Sequence, residues 1–277
     1  MSLDERIRLI PHITSDNAAI NLAIDSALLE KMQEKINGGE SVKPILRTYQ
    51  FRKPAVILGC HQKIEGRFDK DLAAKSKIDL TRRDSGGGHM YFGTEDFHFS
   101  FIAPSDYFGN KNLIERYQFV NGMIATALKD AGYNAELGRT SIRLDNPEGK
   151  IIAGTARREN GKVSLQQGGI LIEDYDEKIF KLLMAREYEV RLWQDKVSAL
   201  RRFNPNLFLD KLTRRRLYKK DLNYDELQRA QHLAKTKYAN PAFISSVIRQ
   251  VGICLVAEYS KDDVESDMPR QIEGAAA

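Results

Sequence analysis

The run Arg82-Arg83-Asp84-Ser85-Gly86-Gly87-Gly88-His89-Met90-Tyr91-Phe92 constrains this chain more than any other stretch. Each glycine loses more backbone freedom on folding than any other residue, so three in succession are costly to order. A chain keeps such a run where backbone must come close to something or where φ must be positive. A tight turn between two strands meets that condition. So does a loop that grips an anionic or extended ligand. Two guanidinium groups enter the run, and Phe97-His98-Phe99-Ser100-Phe101-Ile102 follows it with the two-residue alternation of a strand that has one apolar face. At this level both readings stay open.

The flanking sequence supplies a sheet and helices to hold such a loop. Residues 15–36 read as a helix, with Ser15 or Asp16 as cap, Ile20, Ile24, Ala27, Leu28 and Met32 on one face, and Gly38-Gly39 as stop. Ile45 to Tyr49 and Ala55 to Leu58 read as two strands joined by Phe51-Arg52-Lys53-Pro54, an expected antiparallel hairpin. A short helix is expected over Phe68 to Ser76 and a strand over Ile78 to Arg82. Residues 111–131 form a second long helix, with Leu113, Tyr117, Val120, Ile124, Ala127 and Leu128 on its buried side and Gly132 as stop. Strands are expected around Asn134 to Leu137, Ser141 to Leu144, Ile151 to Ala156 and Val163 to Ile172. The Asn160-Gly161 pair between the last two is a strong hairpin signal. Beyond Asp174, segments 176–185, 207–218, 224–237 and 241–257 read as helices, one of them carrying Arg214-Arg215-Arg216. This order of elements implies α+β, a mixed and largely antiparallel β-sheet flanked by helices.

Composition narrows the function class. A net charge of +5 and 29% charged residues are too balanced for a nucleic-acid arm and fit an acidic ligand or acidic protein partner. No run approaches the length of a membrane span, and the start lacks the apolar stretch of a secretory signal. Cys60 and Cys254 lie far apart and suggest a reducing compartment. The expectation is a cytoplasmic protein with no nucleic-acid or membrane partner.

Three segments meet if the sheet is built this way: the glycine loop, Gly59-Cys60-His61-Gln62, and Gly149-Lys150-Ile151-Ile152-Ala153-Gly154-Thr155-Ala156. The third places a lysine at the start of a strand. Its ammonium is either solvated at a hairpin end or aimed at carboxyl or phosphate oxygens, where a preorganised cation stabilises developing charge. Other chemistries fit less well. No Gly-Lys-Ser/Thr follows the glycines, so they are not a Walker loop. A strand rather than a helix follows, which excludes a dinucleotide fingerprint. His12, His61, His89, His98 and His232 show no metal-ligand spacing. Ser85 lacks a nucleophile-elbow context.

Taken together the segments resemble the lipoate-protein ligase A family, within the biotin/lipoate protein ligase superfamily. Asn21-Leu22-Ala23-Ile24-Asp25, Ile45 to Tyr49 with Val56 to Gln62, the arginine–glycine loop, the Lys150 segment, Gln167-Gly168-Gly169-Ile170-Leu171 and Lys196-Val197-Ser198-Ala199-Leu200 carry the likeness in the family's order, over about residues 16–200. The resemblance implies a single catalytic domain over residues 1–260 and a flexible tail over 261–277, without the family's small C-terminal accessory domain. It implies activation of lipoate by ATP and Mg2+ to lipoyl-AMP, and transfer of the lipoyl group to a lysine of an acceptor. Such acceptors are the glycine cleavage H protein or the E2 lipoyl domain of a 2-oxoacid dehydrogenase. A separate accessory subunit for adenylation is a further implied partner. Lys150 is the implied catalytic residue. Arg83, Ser85, Gly86, Gly87, Gly88, His89, Arg47, Gly154 and Thr155 are implied for lipoyl-adenylate binding, and Tyr49, Val56, Ile57 and His61 for the acyl pocket, with the Phe97 to Phe101 strand beside them.

The sequence departs from the family at three places. His89-Met90-Tyr91-Phe92 replaces the usual continuation of the loop. Arg139-Thr140-Ser141-Ile142 stands where ligases carry an Asn-Asp pair for Mg-ATP, leaving Asp145 or Glu148 as substitutes. Gln166-Gln167 stands in place of a His pair. Two alternatives accompany the ligase reading. One is an octanoyl or lipoyl transferase working through a cysteine thioester, for which Cys60 is the candidate nucleophile. The other is a non-catalytic lipoyl-binding accessory protein.

Overall fold

The computed structural model describes residues 7–11, 17–62, 69–145, 149–172, 174, 179, 199–200, 204–213, 217–219 and 222–236. The chain divides into two units between Tyr238 and Ala239, and all the described residues belong to the first.

In chain order the strands are β1 (Ile7–Ile10), β2 (Ile45–Gln50), β3 (Ala55–Leu58), β4 (Asp79–Arg82), β5 (Met90–Phe92), β6 (Phe97–Pro104), β7 (Ala135–Leu137), β8 (Ser141–Leu144), β9 (Ile151–Asn160), β10 (Val163–Ile170) and β11 (Leu217–Lys219). The helices are α1 (Ala18–Asn37), α2 (Lys70–Lys75), α3 (Leu113–Asp130), α4 (Pro205–Thr213) and α5 (Tyr224–Thr236), with a 3-10 turn over Ser105–Phe108. Eight strands form one sheet in the order β11-β1-β2-β6-β10-β9-β8-β7, and three form a second in the order β4-β3-β5. Most pairings are antiparallel. β1 runs parallel to both β2 and β11, and β3 parallel to β4. This is the expected α+β class with a mixed sheet.

Local chemistry explains the well-formed elements. Asn112 caps α3 by accepting from the Glu115 N–H while the Glu115 carboxylate accepts from the Asn112 N–H, a closed capping box. Gly132, at φ +90°, ends it. β9 and β10 pair from Asn160↔Val163 to Ala153↔Ile170 across a two-residue turn whose Gly161 has φ +60°.

Several expectations are corrected. The cap of α1 is Asn17, whose side chain accepts from the Ala19 N–H at 2.6 Å; Ser15 and Asp16 lie outside the described residues. The short helix begins later, at Lys70, because Asp69 caps it through the Leu72 N–H at 2.8 Å. β2 and β3 do not form a hairpin. Both edges of β2 are taken, by β1 and β6, so the chain turns through Arg52-Lys53-Pro54 into the second sheet, where β3 pairs with β4 and β5. Leu113, at the open first turn of α3, is 56% exposed. The expected helix 207–218 stops at Thr213, and Leu217–Lys219 becomes an edge strand beside β1. The expected helices 176–185 (apart from helical Ile179) and 241–257, and Arg214 to Arg216, lie outside the described residues.

The two faces of the large sheet carry different cores. Phe97, Phe99 and Phe101 of β6 face α3 and α4, packing with Val120, Ile124, Leu128, Phe208 and Leu212. The opposite face receives α1, where Leu22 joins Tyr49, Phe51, Ile57 and Phe92. Within this second layer lies a buried ion pair. Arg47 Nη1 donates to Asp25 Oδ1 at 2.8 Å, and both side chains are fully buried. Arg47 also donates to the Asn21 carbonyl at 3.0 Å and to its side chain. Removing one partner of such a pair strands a charge in the interior. Arg47→Ala should therefore lower the unfolding free energy by about 3–5 kcal/mol, read from urea denaturation at pH 7. A loss below about 1 kcal/mol would assign the pair to a solvated site.

Candidate functional site

Two guanidinium groups shape the glycine loop. Arg83 Nη2 donates to the carbonyls of Gly86 at 2.6 Å and Gly88 at 2.8 Å, and its Nη1 donates to Ile57 O at 3.3 Å. Arg82 Nη1 holds the next turn from the other side, donating to Gly59 O at 3.0 Å, Cys60 O at 3.2 Å and Gln62 O. The two loops touch. A Cβ on Gly59 would sit 2.1 Å from the Gly87 carbonyl oxygen, so only glycine fits there. Gly87 itself has φ +91°. The Cys60 N–H donates to Ser85 O at 3.1 Å, closing the junction.

A cavity of about 260 Å3 opens beneath this loop, bounded by β5, β9 and β10. Its apolar wall is Leu22, Tyr49, Ile57, Met90, Phe92 and His98. The floor is backbone: Gly168 and Gly169 of β10 and Gly154 of β9. An added Cβ at Gly169 would lie 2.4 Å from Phe92 Cε1 and 3.1 Å from His98 Nδ1, so this glycine keeps the floor open, whereas one at Gly168 would lie 2.4 Å from Phe99 Cζ on the core side of β10. The polar wall carries Arg83, Tyr117, Arg157 and Gln167. Burial pulls Arg83 and Arg157 below arginine's usual range and pushes the Tyr117 hydroxyl up, with both guanidiniums drawing it partly back down. Arg157 donates to Glu159 Oε1 at 2.8 Å and Gln166 Oε1 at 3.1 Å and lies 4.4 Å over the Phe108 ring. The cavity therefore has an apolar half and a half of positive potential, suited to an extended aliphatic chain ending in a polar head.

His98 belongs to the apolar half. Its ring lies 5.3 Å from Tyr49, 4.1 Å from Phe51 and 4.5 Å from Phe92. Burial among these rings, with Arg47 adding repulsion, lowers its pKa to about 3, so the imidazole is neutral at physiological pH.

The structure brings together some of the sequence-predicted residues and separates others. Arg83, Gly86, Gly87, Gly88, His89, Gly154, Thr155, Tyr49 and Ile57 all line the cavity. Ser85 lies directly behind the loop, fully buried, with its hydroxyl donating to Gln167 at 2.8 Å. Arg47 is one layer deeper, in the ion pair with Asp25. Val56 points to the other side of β3, packing with Leu58, Ala73 and Tyr91, because adjacent strand residues face opposite ways. His61 is exposed outside the lining. Lys150 is half-buried just ahead of β9, about 13 Å along the strand from Gly154 at about 3.3 Å per residue. Phe97, Phe99 and Phe101 face the core rather than the slot; it is His98, between them, that reaches it.

Tyr117, Arg157, Gln167, Phe92 and Leu22 join the site without having been singled out for it, and His98 comes from the Phe97 to Phe101 strand expected beside the acyl pocket. The signal for Gln167 was the Gly168-Gly169 pair beside it, since glycine inside a strand marks a close approach. Tyr117 offered none, as its helical spacing matched a core position.

Metal ligands are a separate question. Among the described residues no three His, Cys, Asp or Glu side chains group as metal ligands. Asp145 pairs instead with Lys129 at 3.5 Å, and Glu148 lies outside the described residues. The Arg83 fork is filled by three carbonyls. Among the described residues that line the cavity there is no carboxylate to meet the Mg2+ of ATP.

This fold matches a known class. Residues 17–218 match the family model described as lipoyl protein ligase A/B catalytic domain, and the chain belongs to that family. Among named relatives it is similar to octanoyltransferase LipM of Oceanobacillus iheyensis, 29% identical over 61% of this chain and 65% of that one. It is similar also to lipoate-protein ligase A subunit 1 of Thermoplasma acidophilum, 30% identical over 59% of this chain and 60% of that one. These matches span less than two thirds of either relative. Among solved structures, lipoate-protein ligase A bound with ATP superposes with a TM-score of 0.70 at 22% identity, covering 86% of this chain and 98% of that one. The bi-partite lipoate protein ligase of T. acidophilum gives 0.69 at 22%, covering 86% and 95%. Identities this low establish the shared fold.

The neutral His98 makes a measurable signature. The unfolded chain protonates this histidine near pH 6.5, whereas the folded chain excludes the proton until about pH 3. Between those values the unfolded state binds more protons, so stability falls as pH falls. His98→Phe should remove that part of the acid destabilisation, on the order of 2 kcal/mol between pH 7 and pH 4.5, measured as the difference in urea unfolding between the two proteins. Equal acid losses in both would contradict a neutral His98.

Proposed function

We propose that this chain is an acyltransferase of lipoyl chemistry: it seats an octanoyl or lipoyl chain in the cavity and passes the acyl group to a lysine amine of an acceptor lipoyl domain. The observation that carries this reading is the division of one cavity into an apolar wall of Leu22, Tyr49, Ile57, Met90 and Phe92 and a polar wall of Arg83, Tyr117, Arg157 and Gln167. An aliphatic chain fills the first. The acyl carbonyl and its leaving group meet the second, where positive potential stabilises the oxyanion. Two relatives support it by name, one an octanoyltransferase and one a ligase subunit. The bi-partite lipoate protein ligase of T. acidophilum is described together with its E2 lipoyl domain, which supports an acceptor of that kind.

In the transfer step the acceptor amine attacks the acyl carbonyl, a C–N bond forms, the bond to the donor breaks, and the amine proton leaves to solvent or to the departing group. Several relatives are named octanoyltransferases, which favours the transferase reading through a cysteine thioester. On that route a cysteine sulfur attacks the donor's acyl carbonyl, the acyl–S bond to the enzyme forms, the donor's own thiol leaves, and the acceptor amine then attacks the acyl-enzyme. That route needs a thiol, and Cys60 is the cysteine among the described residues. It is half-buried beside the glycine loop, with its N–H donating to Ser85 O at 3.1 Å. A second reading, transfer from lipoyl-AMP, is favoured by the arginines at the polar end, which suit a mixed anhydride. With no carboxylate in the described lining to meet Mg2+, an accessory subunit is the proposed source of lipoyl-AMP on that route.

One assay separates the routes. Wild-type protein is incubated with an apo lipoyl domain and either octanoyl-carrier protein or lipoyl-AMP, and acceptor mass is read by mass spectrometry. The thioester route predicts transfer from the carrier that Cys60→Ser abolishes. The adenylate route predicts transfer from lipoyl-AMP that Cys60→Ser leaves intact. No mass gain with either donor would refute the function and leave a binding protein.

Lys150 is proposed to add charge at the reacting head. Lys150→Ala should reduce transfer by about 10²-fold or more while the melting temperature stays within about 2 °C, since a half-buried strand-end lysine adds little to stability. Retained transfer would remove Lys150 from the machinery.

A further inference from the structure

We propose that Gln167 is a positioning residue, which couples the buried Asp25 carboxylate to the glycine loop and so sets the geometry of the cavity's polar end. The inference rests on the acyl-transfer reading of the site and adds to it the element that holds the loop in its working shape.

The observation is a chain of hydrogen-bonding groups crossing from α1 to the loop. Ser85 Oγ donates to Gln167 Oε1 at 2.8 Å, and Gln167 Nε2 donates to Asp25 Oδ2 at 2.8 Å. Asp25 accepts in addition from Arg47 at 2.8 Å, Ser100 at 2.7 Å and the Tyr49 hydroxyl at 3.1 Å. All these donors converge on one fully buried carboxylate, so its position is over-determined.

Chemistry fixes the direction of the relay. An ionised carboxylate only accepts, so the amide must turn its NH₂ toward Asp25. Its carbonyl then faces Ser85, and the serine must turn its proton to the amide. The Ser85 hydroxyl is thereby committed, and so is the backbone on either side of it. The Ser85 carbonyl holds the Cys60 N–H at 3.1 Å, and Gly86 to Gly88 follow directly. A glycine-rich loop has little conformational preference of its own. The relay supplies what the glycines lack, a link to the most rigid polar point of the core. Gln167 also lines the cavity.

An isosteric change tests this. Gln167→Glu keeps an acceptor for Ser85, and when protonated it still donates to Asp25. When ionised it places a second carboxylate against the first. The other charged or titratable groups around this point are Arg47 and Tyr49 on β2, His98 on β6, and Arg83 and Asp84 in the loop, the last paired with Arg158 at 2.8 Å. His98 is neutral through the tested range. The nearest cation, Arg47, already serves Asp25. The proton on a glutamate here is therefore held to high pH, and its loss breaks the relay.

Transfer to an apo lipoyl domain is measured from pH 5 to 9 for wild type, Gln167→Glu and Gln167→Leu, with melting temperature and amide hydrogen exchange of the 83–90 peptide measured in parallel. The relay predicts that Gln167→Leu loses at least tenfold in kcat while staying folded, with faster exchange in that peptide. It predicts that Gln167→Glu transfers faster than Gln167→Leu at low pH and loses that advantage, with faster loop exchange, as pH rises, on a limb the wild type lacks. A Gln167→Glu profile parallel to wild type, together with unchanged exchange in both variants, would overturn it. If wild type transfers nothing, the acyl-transfer reading fails, and the exchange measurement alone still decides the relay. If Gln167→Leu does not fold, the pH dependence of loop exchange in Gln167→Glu decides it.

Discussion

The buried carboxylate of Asp25 is the point on which the rest of this structure depends. An ionised side chain taken wholly out of water is tolerated only when cations and hydrogen bonds replace its hydration. Here one guanidinium, two hydroxyls and one amide do so, drawn from β2, β6 and β10. Each donor is thereby located by the same group. Helix α1 cannot slide along the sheet without breaking all of them together. An apolar interface would be less specific, because hydrophobic contacts of similar volume exchange with small loss.

The cavity follows from that anchoring. Tyr49 donates to Asp25 and so holds its ring at the slot, beside His98. Phe92 meets the other side of that imidazole edge-on. Glycines at 154 and 169 remove side chains where the floor must stay open, and Gly168 makes room for Phe99 on the core side. The loop above is held by arginines acting as backbone clamps: Arg83 ties the loop to itself and to β3, and Arg82 ties the neighbouring turn. Arg83, although it spans three carbonyls, and Arg157 bring the cations to the polar half. A cavity of two halves, one apolar and one cationic, is what an acyl chain with an activated carboxyl end requires.

Much of this was legible in the sequence where the signals were local. The apolar spacing behind the expected helix 111–131, found as α3 over Leu113–Asp130, and the Asn160-Gly161 turn are local signals, and both elements formed close to where they were expected. The family likeness identified the loop and the Gly154 strand, which do meet at one cavity. Legibility failed where the answer lay in pairing. Nothing near Ile45 or Ala55 shows that β1 and β6 occupy both edges of β2, so the expected hairpin became strands of two sheets. β1 and β11 are four and three residues long and pair across roughly two hundred positions, too short for periodicity to reveal. The alternation of Phe97 to Ile102 gave a strand correctly but not which face met the cavity; the phenylalanines went to the core. Tyr117, Arg157 and Gln167 come from three separate elements, and only the assembled sheet brings them to one wall.

The most direct test is a crystal structure of the protein soaked with octanoate or lipoate. An acyl chain seated as proposed runs between Met90 and Phe92 on one side and Gly168 and Gly169 on the other, with its carboxyl end toward Arg83, Tyr117 and Arg157. A chain bound in the reverse direction, or outside this cavity, would contradict the division of the site into an apolar and a cationic half.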